Sequence, residues 1–262
     1  MTHIQLRNAN YYYELTGEGE PIVLISGYSC DHAFWEPVVE NLKAKFTLLT
    51  FDNRGIGQTT DQGGRLSLQL LTEDVLEIIE QLGLIKPHIV GHSMGGAIAQ
   101  TIAAKAEQQI GKMAIINSTS KLREATLCAL ESLLKLRKKG VDFDTLFESS
   151  YPWFYGDEFL SDKSNIEKLK AAVLQNPFPQ TLEGQERQIQ ILKDAKKIDL
   201  KNISTHSLVV YGTQDLVTLP SESMELANKI LNSTLKKLNS GHASVQENPQ
   251  QIADFLLDHF KR

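Results

Sequence analysis

Cysteine is nearly absent from this chain. Cys30 and Cys128 are the only two in 262 residues. They lie far apart and form no C-x-x-C pair, which argues against a disulfide framework and points to a reduced compartment. Long apolar runs are missing too. Stretches such as Ile22-Val23-Leu24-Ile25 fall far short of the roughly 20 residues of a membrane span. Basic charge is not in excess: 27 Lys and Arg against 32 Asp and Glu leave a formal net charge of −5. Nucleic acid and anionic membrane both need a basic face, so neither is an expected partner. Met1 to Glu14 holds no apolar core flanked by basic residues, so no signal peptide is expected and a cytoplasmic location is the default. No carboxylate cluster stands at metal-ligand spacing, and Gly55-Ile56-Gly57 lacks the third glycine of a dinucleotide fingerprint. No metal and no cofactor are therefore expected.

What is present is a rhythm. Residues 4–16 alternate loosely, and Gly17-Glu18-Gly19-Glu20-Pro21 reads as a turn, which predicts an opening antiparallel hairpin. Ile22 to Ile25 and Phe46 to Phe51 are continuous apolar runs, as buried parallel strands require. Trp35, Val38, Val39, Leu42 and Phe46 form a helical stripe between them. Leu68, Leu71, Val75, Ile78, Ile79 and Leu82 form the next stripe, closed by Gly83. Met113 to Ile116 is another apolar strand. After Asn117 the rhythm changes, and Lys121 to Lys197 carries helical periodicity only. Strand and helix then alternate again: Ser207 to Tyr211, a helix with Met224, Ala227 and Ile230, and Thr234 to Leu238. Asn248-Pro249 opens a last helix as cap and first residue. These spacings predict a parallel α/β core over 1–120 and 198–262, interrupted by a helical lid over 121–197.

The chemistry centres on Gly91-His92-Ser93-Met94-Gly95-Gly96. It is a G-x-S-x-G pattern between an apolar strand and a helical stripe, the context of a nucleophile elbow. The flanking glycines are needed because a Cβ there would strike the adjoining strand and helix. Asp215 and His242 follow two later strands, and loops at the carboxyl ends of parallel strands converge. A serine hydroxyl is a weak nucleophile, an imidazole can take its proton, and a buried carboxylate can orient that imidazole. Ser93, His242 and Asp215 are thus the candidate nucleophile, base and acid. The N–H of Met94 and that of Tyr28, in the loop after Ile25, are the candidate oxyanion donors. Asn117 and Ser118 follow another strand but cannot supply a carboxylate. Asp52 and Arg54 read as an ion pair or turn cap rather than as catalysts. His92 is expected to pack or bond locally, and His32 is a secondary candidate for the pocket wall. Trp153, Phe154 and Tyr155 read as lid core rather than pocket lining.

Ser26-Gly27-Tyr28, Asp52-Asn53-Arg54-Gly55-Ile56-Gly57, the Ser93 elbow, Tyr211-Gly212-Thr213-Gln214-Asp215 and Gly241-His242 together resemble the α/β-hydrolase fold family over nearly the whole chain. That resemblance implies a three-layer α/β fold. It would have a mostly parallel eight-stranded sheet flanked by helices, a helical lid between the sixth and seventh strands, and no cofactor. Serine at the elbow separates the chain from the dehalogenases and epoxide hydrolases of the family, which use Asp there. Ser26-Gly27 replaces the frequent His-Gly of the oxyanion loop. The sequence is similar to carboxylesterases, enol-lactonases and the pimeloyl-ester carrier-protein esterase. This implies a serine hydrolase acting on a small or medium carboxylic ester, with the meta-cleavage carbon–carbon hydrolases as an alternative. A low-turnover ligand-binding or signalling module on the same fold is a further one. The natural substrate and the oligomeric state are not legible.

Overall fold

The computed structural model describes residues 2–261. Its strands are β1 (Thr2–Leu6), β2 (Ala9–Thr16), β3 (Glu20–Ile25), β4 (Phe46–Phe51), β5 (Thr60–Asp61), β6 (His88–His92), β7 (Met113–Ile116), β8 (Ser207–Gly212) and β9 (Ser233–Leu238). They form one sheet in the order β1-β2-β4-β3-β6-β7-β8-β9, with the two-residue β5 attached to β2. The expected eight strands make up that path, and β5 is a ninth. β1–β2 and β2–β4 pair antiparallel, and every step from β4 to β9 is parallel.

The parallel strands are apolar throughout because both of their faces are covered. Ile22 and Leu24 of β3 enter one core with Trp35, Val38 and Leu42 and with Ile252, Leu256 and Phe260. Val23 and Ile25 enter the opposite core with Leu71, Val75 and Ile78 and with Ile98 and Ile102. The first layer is α1 (Glu36–Leu42) and, at the far end of the chain, α11 (Pro249–Lys261). The second contains α2 (Leu68–Gln81) and α3 (Met94–Ala106). Burying one such side chain is worth about 1.5–3 kcal/mol, so a polar residue on either face of β3 would carry a heavy penalty.

Three local expectations are corrected. The opening hairpin turns at Arg7-Asn8, between β1 and β2. The Gly17–Pro21 turn carries the chain past β4 instead, because β4 lies between β2 and β3. β3 needs apolar partners along both edges, and β4 and β6 provide them. Phe46 belongs to β4, and the helix before it is preceded by a 3-10 turn, His32–Trp35, capped by Asp31. Asn248 starts α11 with its backbone, whose carbonyl accepts from Ile252 N, but its side-chain Oδ1 is buried without a partner.

Between β7 and β8 the elements are all helical: α4 (Glu124–Lys138), α5 (Phe143–Ser150), α6 (Asp157–Ser161), α7 (Lys163–Gln175) and α8 (Leu182–Asp194). After β8 come α9 (Pro220–Lys229), β9 and the one-turn α10 (Ser244–Glu247), then α11. The short α6 and α10 were not legible from periodicity, being too brief to show any. Among the described residues no helix is long and apolar enough to cross a membrane.

Candidate active site

Ser93 stands at the corner between β6 and α3 with φ 53 and ψ −118, a conformation that non-glycine residues seldom adopt. The corner is possible because its neighbours are bare. A Cβ on Gly91 would lie 2.2 Å from the Gly95 carbonyl oxygen, and one on Gly95 would lie 2.1 Å from the Ile25 carbonyl oxygen. Gly96 makes the same allowance for Ser118, whose hydroxyl donates to the Ser93 carbonyl at 2.7 Å. The close packing seen in the sequence is therefore between α3 and both adjoining strand ends.

Asp215 follows β8 and is 1% exposed. Its Oδ1 accepts the backbone N–H groups of Val217 and Thr218 at 2.8 and 2.9 Å. Its Oδ2 accepts from Asn117 Nδ2 at 2.8 Å and Thr218 Oγ1 at 2.8 Å, and lies 2.8 Å from His242 Nδ1. Burial pushes the Asp215 carboxyl up, but the His242 charge and these donors outweigh it and hold the carboxyl below the usual range. One oxygen thus organises a turn while the other faces the imidazole. With Nδ1 held by Asp215, the opposite ring nitrogen of His242 is left for the cavity.

Ser93, Met94, Tyr28 and His242 all line one cavity of about 1180 Å³. The loop after β3 lies directly against the elbow: a Cβ on Gly27 would come within 3.0 Å of Ser93 Cβ. Met94 opens α3, where the N–H has no carbonyl one turn back within the helix to accept it. Tyr28 follows Gly27 in that loop, and Met94 follows Ser93 in the chain.

Asn117 cannot supply a carboxylate, yet it joins the site. Besides Asp215 it donates to the Gly241 carbonyl at 3.2 Å, and its Oδ1 accepts from Ser244 Oγ. Its φ of 45 was the missing signal; only the folded backbone shows it. His92 bonds farther afield than expected. Its Nε2–H donates to the His242 carbonyl at 2.8 Å, and its Nδ1 is buried without a partner, which makes the ring neutral. Burial, reinforced by the His242 charge, lowers it to about 3. Glu247, not singled out from the sequence, accepts Gly241 N–H at 2.9 Å and Gly156 N–H at 3.0 Å, and so ties the His242 loop to the segment before α6.

The other expectations divide. His32 does line the cavity, with Nδ1 2.7 Å from Asp52 Oδ1. Burial lowers His32, but Asp52 more than offsets this and its value is raised. Asp52 also accepts the N–H of His32 and Gln58, as a turn cap does. Arg54 pairs with Asp74 rather than Asp52, at 2.7 Å, and Tyr11 Oη donates to the same carboxylate at 2.7 Å. Phe154 packs against Leu130, Leu134 and Ile189, as lid core would, but it and Tyr155 also line the cavity, while Trp153 is 39% exposed. Their backbone explains it: Ala243 N–H donates to the Phe154 carbonyl at 2.8 Å, which draws this stretch over His242. His88 and His92 are four apart, but on a strand that separation spans roughly 13 Å, so they do not converge.

Residues 20–249 match the model of the family described as alpha/beta hydrolase fold. The chain belongs to this family. It is 27% identical over 259 residues to RutD of Stutzerimonas stutzeri (strain A1501), provisionally named a carbamate hydrolase, with 95% of this chain and 96% of that one covered. It is 27% identical over 235 residues to 3-oxoadipate enol-lactonase 1 of Acinetobacter baylyi, covering 88% and 85%. Its structure also resembles the crystal structure of MGS-M2, an alpha/beta hydrolase enzyme from a Medee basin deep-sea metagenome library. That comparison has a TM-score of 0.89 and 26% identity, with 100% of this chain and 98% of that one covered.

Proposed function

We propose that the chain is a serine hydrolase that cleaves a small or medium carboxylic ester through an acyl-enzyme intermediate. One observation carries the reading. A serine in strained backbone opens into the same cavity as a histidine whose far nitrogen is held by a buried carboxylate. In this reading Ser93 Oγ attacks the ester carbonyl while His242 takes its proton. Asp215 fixes the imidazole tautomer and stabilises the ring once it is charged. The N–H groups of Tyr28 and Met94 hold the oxyanion of the tetrahedral intermediate, an interaction worth about 2.7–4 kcal/mol per donor. His242 then protonates the leaving alcohol, and water repeats the sequence to free the acid. Lactones fall within the same chemistry, since a cyclic ester differs only in keeping its leaving alcohol tethered, and the likeness to an enol-lactonase supports their inclusion.

In the same proposal, residues 121–197 form the lid and the rest forms the core. The lid supplies Leu130, Leu133, Phe147 and Phe154 to the cavity, an apolar wall suited to an acyl chain. Ser93→Ala tests the reading. Hydrolysis of p-nitrophenyl acetate and butyrate should fall by at least about a thousandfold, with the circular dichroism of the fold unchanged. Turnover that survives the substitution counts against it. Thermal stabilisation by a ligand in a wild type without turnover would favour a binding module.

A further inference from the structure

Gln188 of α8 is fully buried, in a helix of the proposed lid, yet all of its bonds leave that helix's own turn. Its Oε1 accepts the Ser29 N–H at 3.0 Å, and its Nε2 donates to the Arg54 carbonyl at 2.9 Å. Gln180 Nε2 supports the same oxygen at 3.0 Å and also donates to the Gly55 carbonyl at 2.9 Å. The approach is set by two bare backbones. A Cβ on Gly184 would lie 2.3 Å from the Gly55 carbonyl oxygen, so α8 seats directly on the loop after β4. Gln188, one turn along, then faces the loop after β3.

That loop contains a turn, Gly27 to Cys30, closed by Cys30 N–H to the Gly27 carbonyl at 3.3 Å. Ser29, its third residue, has φ 58. Positive φ at the third residue and not at the second is the type II form, which favours glycine there. A serine in that place is strained, and rotation of the Tyr28–Ser29 peptide would relieve it. The N–H of that same peptide is the group that Gln188 holds. The adjoining peptide carries the Tyr28 N–H, beside Ser93.

We propose that Gln188 is a positioning residue for the oxyanion donor: by holding the Tyr28–Ser29 peptide it keeps the turn in its strained form and the Tyr28 N–H aimed at the reacting carbonyl. The lid in this view completes the catalytic loop as well as covering the pocket. The inference rests on the serine-hydrolase reading.

The test is Gln188→Met, which keeps the length and loses all three side-chain bonds. On p-nitrophenyl butyrate kcat should fall about tenfold, part of the loss that a missing donor causes. KM should stay within about twofold, and the affinity of a boronic acid that mimics the tetrahedral intermediate should fall by the same factor as kcat. Adding Ser29→Gly removes the strain at φ 58, so the double variant should recover most of the lost kcat although the bond stays absent. A merely structural glutamine would not show that rescue. Unchanged kcat in Gln188→Met, or no recovery in the double variant, overturns the inference. Should Gln188→Met not fold alone, the double variant is assayed directly and must lie near wild type in kcat. Wild-type turnover and its loss in Ser93→Ala are measured alongside. Failure there overturns the hydrolase reading itself, whereas failure confined to Gln188 overturns only its role.

Discussion

His92 stands next to Ser93 in the chain, but its ring serves the loop of His242, 150 residues away. Its position carries a pH consequence. An unfolded histidine titrates near 6.5, whereas folded His92 titrates at about 3 because of burial. Between these values the unfolded chain binds a proton that the folded chain refuses. The stability tied to His92 is therefore complete above about pH 6.5 and is lost as pH falls toward 3. His259, lowered to about 4 chiefly by burial, adds to the loss in the same window. His92→Gln can still donate to the His242 carbonyl but does not titrate. Its urea stability should decline less steeply with acid than that of wild type, by on the order of 1.4 kcal/mol per pH unit. Parallel curves between pH 4 and 6 would show that His92 is not the acid-sensitive group. At this scale the sequence marks Ser93, Asp215 and His242 by what precedes them. It does not mark Asn117, Gln188 or Glu247, whose bonds reach across 98, 159 and 91 residues respectively. No local pattern can encode a partner that far away.

The corner between β6 and α3 is the element on which the proposed chemistry depends. Its spacing in the sequence follows from sterics, and the folded distances bear that out. Gly95→Ala would place a methyl group 2.1 Å from the Ile25 carbonyl oxygen and 2.7 Å from its carbon. Both atoms belong to β3, which is held between β4 and β6 in the middle of the sheet and cannot move away. The expected cost is about 3 kcal/mol or more, seen as a fall of about 10 °C in melting temperature. A melting temperature within 2 °C of wild type would contradict this close approach. Elements long enough to repeat, such as α2 and α11, were legible from their apolar spacing. The turn at Arg7-Asn8 and the short α6 and α10 were not, since a turn or two offers no period to read.

The sheet gathers the ends of β3, β6, β8 and β9 along one rim, and the helices between β7 and β8 enclose the space above it. A cavity of about 1180 Å³ exceeds what an acetyl group fills. On p-nitrophenyl esters, kcat/KM is therefore expected to rise from acetate to hexanoate by about tenfold or more, as added methylenes leave water for the apolar wall at about 0.8 kcal/mol each. A steady fall with chain length would mean that the enclosed space is closed to the acyl group. By itself the sequence determined the alternation of strands and helices, the elbow and the order of its candidate partners, because apolar period and bare glycines are local properties. Only the tertiary structure decided which aromatics face the cavity, which histidine serves as a strut, and which glutamine seats α8 on the loop beside Ser93. Those outcomes depend on backbones from distant segments meeting at a few ångströms, and one-dimensional spacing holds no record of such meetings.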